Sequence, residues 1–118
     1  MSRQKRSSID LSIRPRKAIV CGVDINSSDD TEVSLDELVM LLENLDIPTL
    51  ARVTQKRSAP DPASFVGGGK AEEIRDFAQK SEATLLVVDD FLSPTQKSNL
   101  QKLTSMTVWD RAFVIMKI

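Results

Sequence analysis

Residues 17–25, Lys17-Ala-Ile-Val-Cys-Gly-Val-Asp-Ile25, form a short, nearly continuous apolar run, the pattern of a strand buried on both faces. A second such run, Thr84-Leu-Leu-Val-Val88, closes on Asp89-Asp90. Between the two runs, after a polar loop from Asn26 to Thr31, Ser34-Leu35-Asp36-Glu37 reads as a capping box, with Val33 and Leu38 spaced as a hydrophobic staple. Leu35, Leu38, Val39, Leu42 and Leu45 then keep helical spacing until Ile47-Pro48. Residues 49–56 alternate and carry charge, as an edge strand does. Arg57 to Gly69, with two prolines and three consecutive glycines, is a loop. A second helix is expected from about Lys70 to Lys80, with Ala71, Ile74, Phe77 and Ala78 on one face. Ser93-Pro94-Thr95-Gln96 opens a third, which should bury Leu100 and Leu103. Thr107 to Asp110 is a last short strand, followed by an apolar tail, Phe113 to Ile118.

The order β-α-β-α-β-α-β implies an α/β fold: a four-stranded parallel sheet with helices on both faces, half of a doubly wound, nucleotide-binding-like architecture. The two strands that are apolar throughout belong in the middle, and right-handed crossovers then give the order 2-1-3-4. Helix one should lie on one face and helices two and three on the other, with the switch point between strands one and three.

A chain of 118 residues, 41% hydrophobic and 28% charged, has the composition of one globular domain. Its expected organisation is a basic arm (1–16), the α/β domain (17–112) and the apolar tail (113–118) as the start of a missing helical region. No apolar run nears the ~18 residues of a membrane span, and no apolar stretch follows Arg3, Lys5 and Arg6 as a secretory signal would require. The single cysteine, Cys21, reads as a core residue of a cytoplasmic protein rather than a nucleophile. Histidine is absent, which removes His-dependent triads and His metal ligands. Charge is uneven: residues 1–17 hold six basic residues against Asp10, whereas residues 18–51 hold eight acidic residues and no lysine or arginine. Any polyanion contact is therefore local; the alternative is a solubilising arm and a solvated helix face.

Ligands of such sheets bind beyond the carboxyl ends of the strands. Those ends carry Asp24, Gln55-Lys56-Arg57, Asp89-Asp90 and Asp110-Arg111, and Gly67-Gly68-Gly69-Lys70 opens helix two on the same side. Glycines before a helix leave amides free for an anion, with the helix dipole and Lys70 adding positive potential. The segment is neither a P-loop, since Ser64 stands at the first glycine position and Ala71 follows Lys70, nor a dinucleotide fingerprint, since Glu72 replaces the third glycine. A plain glycine turn remains the alternative. Asp24, Asp89, Asp90 and Asp110 gathered at one edge would suit Mg²⁺ and a phosphotransfer or receiver-type site. Otherwise Asp90 helps to cap helix three, Asp110 pairs with Arg111, and Asp24 starts a polar loop. Trp109 fits core or edge packing better than base stacking.

The loop and its flanking strands resemble a known family. Gln55-Lys-Arg57, Pro60-Asp61-Pro62, Phe65-Val66-Gly67-x-Gly69-Lys70-x-Glu72-Glu73, Asp89-Asp90-x-Leu92-Ser93-Pro94-x-Gln96-x-x-Asn99-Leu100 and Val108-x-Asp110-Arg111 together resemble the N-terminal domain of the HflX family of ribosome-associated GTPases. With Gly22-Val23-Asp24 the resemblance covers about residues 17–112. Ser98, Gln101, Ala112 and Lys117 depart from the usual pattern, which has arginine, glutamate, threonine and an acidic residue there.

The resemblance implies a stand-alone or truncated, non-catalytic module that docks a ribosome-splitting or rescue GTPase on the large ribosomal subunit. GTP and Mg²⁺ would belong to the family's GTPase domain, whose motifs these residues lack, so no catalytic or metal residue is assigned; a small nucleotide, ATP or GTP, on the glycine loop is the alternative. Expected ribosome, RNA or phosphate contacts are Gln55, Lys56, Arg57, Phe65, Gly67, Gly69 and Lys70. Asp24, Asp89, Asp90, Asp110 and Arg111 are further edge candidates, and the tail is a candidate contact for a separate GTPase or helical domain.

Overall fold

A computed structural model of the chain describes residues 16–25 and 30–118. Apart from Arg16, the expected arm lies outside the described residues, as does most of the loop from Asn26 to Thr31. The elements are β1 (Ala18–Asp24), α1 (Asp30–Asn44), β2 (Thr49–Lys56), α2 (Gly68–Ser81), β3 (Leu85–Val88), α3 (Pro94–Thr104), β4 (Thr107–Asp110) and α4 (Arg111–Lys117). All strand pairs are parallel, in the order β2-β1-β3-β4. The two apolar strands are thus central, as their composition demands.

Alternate residues of the central strands feed two separate cores. Ile19, Cys21, Leu86 and Val88 pack with Ala71, Ile74 and Ala78 of α2 and Leu100 of α3, while Ala18, Val20, Leu85 and Val87 pack with Leu35, Leu38 and Leu42 of α1 and Val114 of α4. On β2 only Ala51 and Val53 join a core, the one under α2 and α3. Its opposite face is exposed, and there Arg52 reaches Asp36 of α1 at 2.6 Å.

Ser93 caps α3 as its sequence requires: its Oγ accepts from the Gln96 amide at 3.1 Å, and Gln96 Oε1 accepts from the Ser93 amide at 3.0 Å. The expected box at Ser34 does not form. α1 already begins at Asp30, so Ser34 lies inside the helix, and Val33 is exposed rather than stapled to Leu38. Phe77 and Leu103 are exposed rather than buried, because the faces of α2 and α3 that meet the sheet are narrower than their apolar stripes. Thr104 is buried instead, donating to the Leu100 carbonyl at 2.6 Å. The expected tail is mostly helix: Val114 enters the core, while Ile115, Met116 and Ile118 face outward.

Candidate functional site

The carboxyl edge of the sheet is shaped by the long connection from β2 to α2. Asp61 organises it through an Asx turn, its Oδ1 accepting from the amides of Ala63 at 2.8 Å and Ser64 at 3.1 Å. Those two amide bonds hold the Asp61 carboxyl below its ordinary range, with Arg57 adding to the effect. Asp61 and Phe65 exchange backbone hydrogen bonds at 2.9 and 2.8 Å, and the Ser64 hydroxyl donates to the Val66 carbonyl at 2.7 Å. Phe65 adopts φ 68°, a cost for a bulky residue that its complete burial offsets. From α3, Gln96 Nε2 donates to the Asp61 carbonyl at 2.9 Å and Asn99 Nδ2 to the Ala63 carbonyl at 2.7 Å. The connection is a built object. Asp61, Gln96 and Asn99 were not among the expected site residues, although the Pro-Asp-Pro turn chemistry marks the first of them.

Gln55 and Arg57 serve this scaffold. Gln55 Oε1 accepts from the Gly67 amide at 2.9 Å. Arg57 donates from Nε to the Ala59 carbonyl at 3.0 Å and lies 3.7 Å from Asp61. A methyl group on Gly67 would sit 3.3 Å from the Arg57 guanidinium and 3.4 Å from the Gln55 amide, so a side chain there would press on both. Phe65 is 1% exposed and cannot meet a ligand; its place in the expected contact set is corrected to that of a loop anchor.

What remains at the surface is Lys56, Gly68, Gly69 and Lys70. Gly68 and Gly69 have ordinary negative φ, and a methyl group on either would meet open space. Neither backbone conformation nor packing calls for glycine there, and each costs the first turn of α2 about 1 kcal/mol relative to alanine. That turn has no side-chain cap and no acidic residue, so its amides are open to an incoming anion. Lys56 is exposed, with no ion pair among the described residues. Lys70 pairs loosely with Glu73 at 3.2 Å and lies near enough to Cys21 for its charge to act on the thiol. Burial nevertheless pushes that thiol up to about 12, so Cys21 is an inert core residue.

The aspartates do not form one site. Asp89 is taken by Arg111, which also reaches Glu37 and Ser34. Asp110 does not pair with its neighbour Arg111; it caps α4 by accepting from the Phe113 amide at 2.9 Å and also accepts from Leu92 at 3.1 Å. Asp90 accepts from the Phe91 amide at 2.8 Å and does not cap α3. One oxygen of Asp24 is buried without a hydrogen bond among the described residues. Among the described residues no three acidic or thiol side chains stand together as a metal would need, and no helix is long and apolar enough to cross a membrane.

Comparison with known proteins bears on this edge. A family model described as GTP-binding GTPase N-terminal matches residues 32–118. A protein named GTPase HflX from Lacrimispora saccharolytica is 36% identical over 110 residues, which cover 93% of this chain and 26% of that protein. Its namesake from Escherichia coli is 33% identical over 102 residues, covering 86% and 24%. The chain thus spans about a quarter of the length of these curated relatives. A crystal structure of an SsGBP variant superposes with a TM-score of 0.64 at 16% identity, over 86% of this chain and 31% of that one, which is a likeness of fold.

Proposed function

We propose a docking role for this chain, and the premise is its family: it belongs to the GTP-binding GTPase N-terminal family. Within that family we read residues 55–70 as a non-catalytic contact surface for ribosomal RNA of the large subunit, in the cytoplasm. GTP, Mg²⁺ and hydrolysis belong, in this reading, to the part of the relatives that this chain does not span. The exposed Ile115, Met116 and Ile118 are then the surface that meets the relatives' helical or GTPase region.

The observation that carries the reading is the Gly68–Gly69 pair. Two residues that weaken a helix and relieve no clash stand at an uncapped N-terminus beside Lys70, and Lys56 ends the neighbouring strand at the same edge of the sheet. A bare backbone followed by a lysine fits a phosphate that must approach closely, and it positions a phosphodiester chain without reading its sequence. The scaffold of Gln55, Arg57, Asp61, Phe65, Gln96 and Asn99 holds that surface rigid. Lysine-reactivity footprinting by mass spectrometry, with and without large ribosomal subunits, tests it. Protection of Lys56 and Lys70, with Lys80 unchanged as an internal control, is the expected outcome; equal reactivity of Lys56 and Lys70 in both states contradicts it. The same experiment with ATP or GTP alone separates a small-nucleotide site, which would protect Lys70 without any ribosome.

A further inference from the structure

The far edge of the sheet carries a different assembly. β4 is the outer strand opposite β2, and its Trp109 packs against Phe113 of α4 with ring centroids 4.9 Å apart. Three cations converge on this pair: the Arg16 guanidinium lies 5.0 Å from the Trp109 ring centre, and Lys97 and Lys117 lie 5.6 and 5.1 Å from that of Phe113. They come from three places in the chain: the segment before β1, α3 and α4.

These cations differ from the other arginines described. Arg52, Arg57, Arg75 and Arg111 each pair with a carboxylate, whereas Arg16, Lys97 and Lys117 have no ion pair among the described residues. A ring face holds a cation in place without cancelling its charge. A guanidinium held over an indole face keeps N–H donors free for a phosphate oxygen. Arg16 and Lys117 are exposed, and Lys97 and Phe113 are half-exposed. A row of uncompensated charges, rather than one bidentate clamp, matches a repeating phosphodiester backbone.

We infer that Arg16, Lys97 and Lys117, mounted on the Trp109–Phe113 pair, form a second RNA-phosphate contact, separate from the glycine edge. The choice of RNA as the polyanion rests on the docking reading above; the surface does not.

Trp109 is the chain's single tryptophan and reports on the site directly. The full chain is titrated with a fluorescein-labelled RNA duplex of two helical turns over a range of salt, following anisotropy and Trp109 emission. A saturable change in Trp109 emission is expected. Lys97→Gln/Lys117→Gln should weaken binding about tenfold at low salt and lower the salt slope by about two, with far-UV circular dichroism unchanged. Lys56→Gln/Lys70→Gln should keep the Trp109 signal. Affinity and slope unaltered by Lys97→Gln/Lys117→Gln overturn the inference, and if Lys56→Gln/Lys70→Gln alone loses binding, only the glycine edge survives. Dependence on Lys97 and Lys117 alone supports this contact and counts against the glycine edge. Absence of RNA binding by the unaltered chain overturns it, and an equal Trp109 response to polyglutamate overturns it in favour of an acidic protein ligand.

Discussion

Arg111 Nη1 lies 2.5 Å from Asp89 Oδ1, and the Asp89 side chain is only 4% exposed. The same guanidinium reaches the Ser34 hydroxyl at 3.0 Å and Glu37 at 3.2 Å, so one side chain joins the end of β3, the start of α4 and the flank of α1. Removing one partner of a buried pair leaves the other charge stranded. Arg111→Met should therefore cost about 3–5 kcal/mol in urea unfolding. Adding Asp89→Asn should recover part of the loss. A single-variant cost no larger than that of a surface ion pair, roughly 1 kcal/mol or less, would contradict this assignment.

The three glycines separate into two kinds, and alanine substitution distinguishes them. Gly67→Ala pushes a methyl group against Arg57 and Gln55 and should destabilise by about 1–3 kcal/mol, the usual cost of overpacking. Gly68→Ala and Gly69→Ala meet open space and should each stabilise by up to about 1 kcal/mol through helix propensity. If their place is functional, the same two variants bind ribosomal subunits more weakly while melting higher. Variants that melt higher and bind unchanged would remove the reason for these glycines.

Cys21 is held neutral by burial, with its thiol raised from 9.0 to about 12. The unfolded chain ionises first as pH rises, so this residue's contribution to stability is intact below about 9 and declines between there and about 12. Cys21→Ala should flatten that alkaline decline. In the native chain near neutral pH, a thiol reagent should modify Cys21 at the rate of unfolding; rapid stoichiometric labelling would refute its placement.

Asp61 titrates in the opposite sense. Its folded carboxyl is lowered by the Ala63 and Ser64 amides, so the turn is supported above the ordinary carboxylate range and loses that support as pH falls through the lower folded value. Protection of the Ala63 and Ser64 amides, measured relative to their intrinsic exchange rates at each pH, should fall on acidification, and Asp61→Ala should show the same loss at neutral pH. Protection that ignores both changes would rule out the Asx turn as the organiser of the loop.

Much of the fold could be read from residue patterns because the deciding interactions are either local or collective. Burial on both faces shows as unbroken apolar composition in β1 and β3, which places them centrally and yields the strand order. Ser93, Pro94 and Gln96 make a cap within four residues. Ser34 misleads because Ser-x-x-Glu is also ordinary spacing within a helix; its real partner, Arg111, is 77 residues away. Asp110 and Arg111 look like a pair in sequence, yet at this strand end their side chains diverge, one capping α4 and the other reaching Asp89. The same limit governs the candidate site. Lysines and glycines mark a phosphate-friendly edge, but nothing local distinguishes the cations that hold the scaffold, such as Arg57, from those left at the surface, such as Lys56. The Trp109–Phe113 cluster was equally hidden, since its three cations come from separate elements.

Docking on ribosomal RNA is proposed for the edge around Gly68–Lys70. Co-sedimentation of the full chain with isolated large ribosomal subunits, at low and near-physiological salt and beside Lys56→Ala/Lys70→Ala, tests it most directly. Saturable binding that persists at physiological salt and falls in the variant is the expected result. Binding that salt abolishes equally in both proteins, or no binding at all, would contradict it.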